Sequence, residues 1–297
     1  LKLVEKADVV IESFRPGVME RLGLDYETLK KVNPGIVYCA VTGYGQTGPY
    51  ASMPGHDINY ISYAGLLHFM GGRGGKPTVP AAQIADLGGG AFPATVGILL
   101  ALLEKQKSGK GQFVDISMMD GVISWLQTLL PNYFASGQME NRGELMLSGG
   151  KACYEVYETK DGKFISVGAL EEKFWREFCK VIEKEEFIPL LNAPRTEQYR
   201  LMYEIQQIIS TKTQDEWMQL FCQVEACVSP VLSLEELSED PQVQAREMII
   251  ETKHPQGGKL KHIGIPIKLS KTPRSIRNVA PRLGEHSDQT LGDVFNR

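Results

Sequence analysis

A chain of 297 residues, 42% hydrophobic and 23% charged, holds enough apolar material for one large or two smaller domains without disulfides or metals to brace them. Its net charge of −4 leaves no basic excess to neutralise phosphates, which excludes a nucleic-acid partner. Five scattered cysteines without a C-x-x-C pair argue for buried free thiols in a reducing, cytoplasmic setting and against a metal site.

The opening LKLVEKADVVIES does not read as a signal peptide; it reads as the end of a helix running into a strand, so a start in mid-fold is expected. Residues 7–13 read as a short buried strand, 26–32 as a helix stopped by Asn33-Pro34, and 35–41 as a second strand. Strand, helix and strand of these lengths make a βαβ unit and therefore a parallel sheet. A second unit follows: a long helix over about 90–107, a turn at 108–112, a strand at 113–118, then a helix over 120–135. The apolar stretch AFPATVGILLALLEKQ turns charged too soon to span a bilayer, so a core helix and no membrane partner are expected. After Gly150 the texture changes. Two alternating stretches flank Lys160-Asp161-Gly162 and predict a hairpin over 154–169. Helical segments of mixed charge run over 171–225, and short strand-like pieces with Pro/Gly turns return from Pro255. The expected fold is α/β: a large parallel-sheet domain over 1–147, to which 261–297 returns, and a smaller α+β domain over 148–260.

Ser13-Phe14-Arg15-Pro16-Gly17 stands where a strand ends, the place where open α/β sheets bind ligands, and Arg15 joined by Arg21 suits an anion clamp. Two surface arginines would read the same. TGYGQTGP at 42–49 is neither a G-x-G-x-x-G fingerprint nor a Walker loop; it lets a ligand approach the backbone, or is simply a tight connection. His56 follows Pro54-Gly55 at a turn into a helix and is either an acid/base or structural. Asp86 precedes three glycines and a long helix, whose N–H groups suit a developing oxyanion; Asp is also a favoured N-cap. Glu171 closes the run FISVGAL, as a third acid or as a solvated carboxylate beside Glu172. Asp120 in SMMDGV is a helix cap or a carboxylate nucleophile. Met53, Met70, Met118, Met119 and Met146 suit a varied apolar tail, or an ordinary core. The residues by themselves define an α/β enzyme with an anion-binding mouth, candidate acids and one candidate histidine base. Spacing does not join His56, Asp86 and Glu171 in space.

Taken together, ADVVIESFRPGVMERLGL, TGYGQTGPY, GHDINYISYAGLLH, ADLGGGAF, GKGQFVDISMMDG, YEVYETKDGKFISVGALE, ACVSPVLSLEE and LGEHSDQTL resemble the family III CoA-transferase (CaiB/BaiF) group nearly end to end, and within it the 2-methylacyl-CoA racemases. That resemblance implies a Rossmann-like large domain, here without its N-terminal part, a small α+β domain and an interlocked homodimer. It implies racemisation of 2-methylacyl-CoA thioesters by 1,1-proton transfer through an enolate, in lipid metabolism. By the same resemblance, neutral His56 takes the proton from one face and protonated Asp86 returns one to the other, the roles swapping in reverse. Glu171 accepts the distal N–H of His56, in the dimer facing His56 of the partner subunit, and N–H groups at 86–90 hold the enolate oxygen. Ser13, Phe14, Arg15, Arg21, Gly55, Asp57, Ile58, Asn59 and Tyr60 contact CoA or the thioester. No metal or other cofactor is implied, since coenzyme A is part of the substrate.

Two rivals stand beside this reading. One is a family III CoA-transferase in which Asp120 forms an acyl-aspartyl anhydride. The other is a non-catalytic acyl-CoA-binding protein. The resemblance separates them at His56, which the transferases of the group do not keep; Asp120 does not discriminate.

Overall fold

The computed structural model describes residues 1–253, 258–289 and 292. In the first part of the chain the elements are β1 (Val9–Glu12), α1 (Val18–Arg21), α2 (Tyr26–Val32) and β2 (Val37–Thr42). The helix α2 begins where the Asp25 carboxylate accepts the Thr28 N–H at 3.1 Å. It ends at Asn33, whose side-chain amide donates to the carbonyls of Val4 and Ala7 and ties the helix to the chain entering β1. The crossover leaves β1 and β2 parallel, Val9 opposite Val37, as the βαβ reading expected.

Next come α3 (Asp57–Tyr63), α4 (Leu66–Phe69), a π-helix at Ile84–Ala91 that runs on into α5 (Phe92–Ser108), and β3 (Phe113–Ser117). The strand β3 joins the free edge of β2 in parallel, giving the order β1-β2-β3. Ile36 to Ala40 are buried, the unbroken apolar run of a central parallel strand covered on both faces. The expected helix over 120–135 is instead three pieces: α6 (Met118–Ile123), a 3-10 turn at Ser124–Thr128 and α7 (Leu130–Ser136). Leu126 leaves helical dihedrals (φ −80°, ψ 23°), and Pro131 in the first turn of α7 starts a new helix.

Of α5, expected as a core helix, only Ala94 and Ala101 are buried, while Phe92, Val96, Leu99, Leu100 and Leu103 are each more than half exposed. A three-stranded sheet covers one side of it, where Gly97 lets the helix lie close on Val114, and none of the described residues covers the other. With the π-helix it is 25 residues long and apolar enough, by length and composition, to cross a membrane.

The second part holds β4 (Tyr154–Glu158), β5 (Phe164–Gly168), α8 (Glu172–Val181), α9 (Arg195–Ile209), α10 (Gln214–Phe221), β6 (Val228–Pro230), α11 (Leu234–Glu239), α12 (Pro241–Ala245), β7 (Ile249–Lys253) and β8 (Lys259–Ile263). The strands β4-β5-β6 form one sheet and β7-β8 an antiparallel pair. The packing of α8 and α10 stacks Trp175, Phe178 and Phe221, with successive ring centroids 5.3 and 5.6 Å apart.

By compactness the chain forms two units: Leu1–Glu155 with Glu186–Glu204, and Val156–Glu185 with Ile205–Arg297. This grouping differs from the expected domains in three segments, the first being residues 148–155, which go with the first unit. Residues 186–204 go with the first unit, where the Gln198 side chain accepts the Ala152 N–H at 3.0 Å and Arg195 pairs with Glu140 at 2.8 Å. The segment from 261 goes with the second, where β8 pairs with β7 and Arg274 bonds Glu247 at 2.5 Å. Pro255, the last two residues of LGEHSDQTL and the FNR end lie outside the described residues. Cys39, Cys153 and Cys179 are buried free thiols as expected, but Cys222 and Cys227 are exposed.

Candidate active site

A cavity of about 520 Å³ opens beyond the carboxyl ends of β1 and β2, where ligands bind in open parallel sheets. Ser13, Phe14 and Arg15 line it from the end of β1. Thr42, Gly43 and Tyr44 line it from the end of β2, and Gly55, His56, Asn59 and Tyr60 from the turn into α3. Seven of the residues named from sequence therefore share one wall. Arg21 and Ile58 are exposed and are not among the lining residues.

Tyr60 sets the shape of this turn. Its ring fills the space left by two glycines: a Cβ on Gly55 would come within 2.6 Å of it, and one on Gly43 would overlap it outright. Its hydroxyl donates to the Gly55 carbonyl at 2.5 Å, and Tyr44 meets its ring edge-on at 5.1 Å. Burial, then the neighbouring Tyr44 and Asp86, push the Tyr60 phenol above its ordinary range, so it stays a donor. The peptide carrying His56 is thus pinned from behind. In front, the Asn59 side chain accepts the His56 backbone N–H at 3.0 Å. His56 itself is exposed at the N-cap position of α3.

Asp86 lies in the first turn of the π-helix, a local winding common at functional sites. The N-cap is Gln83, so the reading of Asp86 as a cap does not hold. Gly88, Gly89 and Gly90 are buried because helices crowd them: a Cβ on Gly88 would overlap the Trp125 ring, and one on Gly89 the Met118 carbonyl. Burial raises the Asp86 pKa above the ordinary 3.8, the Asp57 carboxylate raises it further, and His56 opposes both. The side chain of Asp57, expected among substrate contacts, points elsewhere: its Oδ1 accepts the N–H of Ala85 at 2.6 Å and of Asp86 at 3.0 Å. The donors expected for an enolate oxygen are therefore partly used, since the Leu87 N–H is also taken, by the Gln83 carbonyl at 3.1 Å.

Glu171 belongs to the second unit, exposed at the N-cap position of α8. Asp120 is exposed in the first turn of α6, where Ser117 is the cap and accepts the Asp120 N–H at 3.1 Å. Met118, two residues earlier, lines the cavity instead. A second, mainly apolar cavity of about 770 Å³ in the first unit is lined by Leu66, Phe69, Met70, Leu129, Met139 and Met146 among others. Sequence reasoning marked the loop at 42–49 but not its individual side chains Tyr44 and Thr42, the latter with a hydroxyl buried at the cavity wall without a hydrogen-bond partner among the described residues. The glycine-rich loop after β2 is the one available signal for both.

Fold and cavity define an α/β protein with a parallel sheet and an open cavity at its strand ends. The chain belongs to CoA-transferase family III, which it matches over residues 1–287. It is 35% identical to an alpha-methylacyl-CoA racemase of Mus musculus, over 98% of this chain and 75% of that protein. It is 31% identical to the succinyl-CoA:glutarate CoA-transferase of Homo sapiens, over 99% of this chain and 68% of that one. A crystal structure of a CaiB/BaiF family protein from Brucella suis superposes with a TM-score of 0.85 at 26% identity, over 99% of this chain and 77% of that one. These relatives support an activity of the acyl-CoA racemase or CoA-transferase kind.

Proposed function

We propose that the protein racemises 2-methylacyl-CoA thioesters, with His56 and Asp86 as the two acid/bases. The observation that carries this reading is the tie between them. The Asp57 carboxylate, next in the chain to His56, accepts the Asp86 N–H at 3.0 Å, and the His56 ring is near enough to act on the Asp86 carboxyl, which supports a joint role for the two side chains. The α-carbon of a thioester is a very weak acid whose proton must leave one face and be replaced on the other, and two fixed groups serve this better than one that moves. Neutral His56 removes the proton from one epimer while protonated Asp86 delivers to the opposite face. Burial of Asp86 favours its protonated form, the direction this role requires.

The enolate oxygen is held by the first N–H groups of α3, at Asp57 and Ile58, which have no intrahelical acceptor. Ser13, Phe14 and Arg15, which line the cavity, hold the CoA portion. The apolar cavity with Met70 and Met146 supports a bulky, variable acyl tail. Glu171 accepts the distal N–H of His56 of the partner subunit in a homodimer, fixing the tautomer of the ring.

The alternative, a CoA-transferase acting through Asp120, is favoured by the transferase names among the relatives. One experiment separates the two: incubation with one epimer of a 2-methylacyl-CoA in D2O, without an acceptor acid. The expected outcome is exchange of the α-hydrogen together with loss of optical purity. His56→Ala slows both by about two to four orders of magnitude while CoA affinity is kept. A protein that exchanges nothing, consumes an added free acid and carries a hydroxylamine-sensitive acyl group on Asp120 is a transferase. Binding without either reaction leaves an acyl-CoA-binding protein.

A further inference from the structure

Two helices meet at the carboxylate of Asp57. It is the first residue of α3, where a negative charge favours the helix N-terminus. Its Oδ1 also accepts two N–H groups from the start of the next long helix, those of Ala85 (2.6 Å) and Asp86 (3.0 Å). That second helix has no cap of its own, because the Gln83 side chain makes no cap bond. Asp57 therefore caps, from 28 and 29 residues away, the helix that carries Asp86. Ala85 is fully buried, so its N–H has no water to turn to if the carboxylate is removed.

We propose that Asp57 is a positioning residue which holds the Asp86 backbone against the turn carrying His56, and so sets the gap in which the substrate carbon sits. This rests on the racemase reading for its catalytic meaning, though not for the clamp itself. The clamp also has an electrical side. The titratable groups facing Asp86 are His56, Asp57 and Tyr60, all on α3. On the neighbouring elements α6 carries Asp120 and β3 carries Asp115, and these two act on each other. After burial, the neighbouring Asp57 carboxylate is what favours the protonated form of Asp86.

Two variants and three readouts test this. In Asp57→Asn the amide oxygen still accepts and the charge is gone. The Asp86 carboxyl, followed by 13C NMR, is expected to titrate about half to one pH unit lower. The high-pH fall of kcat, where Asp86 loses its proton, moves down with it. Backbone hydrogen exchange at Ala85 and Asp86 stays as in the wild type. In Asp57→Ala that exchange accelerates by about tenfold or more and kcat falls by about 10–100-fold with KM within about threefold. If the Asp57→Ala protein does not fold, the Asp57→Asn titration decides. An unmoved Asp86 titration, or unchanged exchange at Ala85 and Asp86 in a folded Asp57→Ala protein, overturns the proposal. Should the wild type fail to exchange the α-hydrogen, the racemase reading falls, while NMR and hydrogen exchange still report on the clamp.

Discussion

The carboxyl of Asp86 is poised by opposing neighbours: burial and Asp57 favour the protonated form, and His56 favours the ionised one. A carboxyl whose folded pKa lies above its unfolded value contributes stability at pH below that unfolded value, near 3.8, and the contribution is lost as pH rises through the folded pKa. Asp86→Asn removes the penalty on ionisation. The variant is expected to melt at a higher temperature than the wild type at pH 7, with the gap closing on acidification, while the proposed racemisation falls by about two orders of magnitude or more. A lower melting point at pH 7 would mean that folding stabilises the ionised carboxylate. His56 and Asp86 were both legible in the sequence through the segments GHDINY and ADLGGG. The role of Asp57 was not, because its partners lie 28 and 29 residues away and nothing local marks an acid as the cap of a distant helix.

Among the elements, the contact between the π-helix and α6 is the tightest around the site. Gly121 faces the backbone of Gly89, and a Cβ there would overlap its carbonyl, so there is no flexible side chain to move aside. Gly121→Ala is expected to lower the urea midpoint by the equivalent of about 2–3 kcal/mol, without changing the slope of the transition. The same substitution at Gly23, where no atom lies within 4 Å, meets only the strain of a left-handed backbone (φ +67°) and is expected to cost less. Strands β1, β2 and β3 and helix α2 could be read from apolar runs and an Asn-Pro stop. The π-helix could not, since its period comes from tertiary crowding of Gly88 to Gly90 and leaves no hydropathy signature. The break within 118–136 escaped too: its apolar pattern continues through Leu126, and only the backbone dihedrals turn aside.

At the scale of the whole molecule, the outer side of α5 presents Phe92, Val96, Leu99, Leu100 and Leu103 together, a contiguous apolar face of the kind that marks an interaction surface. The 297-residue chain is accordingly expected to sediment above its 33.0 kDa monomer mass and, at concentrations low enough to separate subunits, to enhance ANS fluorescence. A monomer with no dye binding would show that this face is covered within one chain. The apolar content of α5 was legible in the sequence and its exposure was not, because exposure depends on how many strands lie beneath the helix. The winding of residues 84–91 has a last consequence for how the protein tolerates change. Removing a single glycine from that segment would let it relax into ordinary α-helical hydrogen bonding at little conformational cost. It would also turn the preceding residues by about 100° relative to α5 and press a side chain into the space that Gly88 to Gly90 leave open, so the Asp86 carboxyl would leave its place beside His56 at a cost in stability.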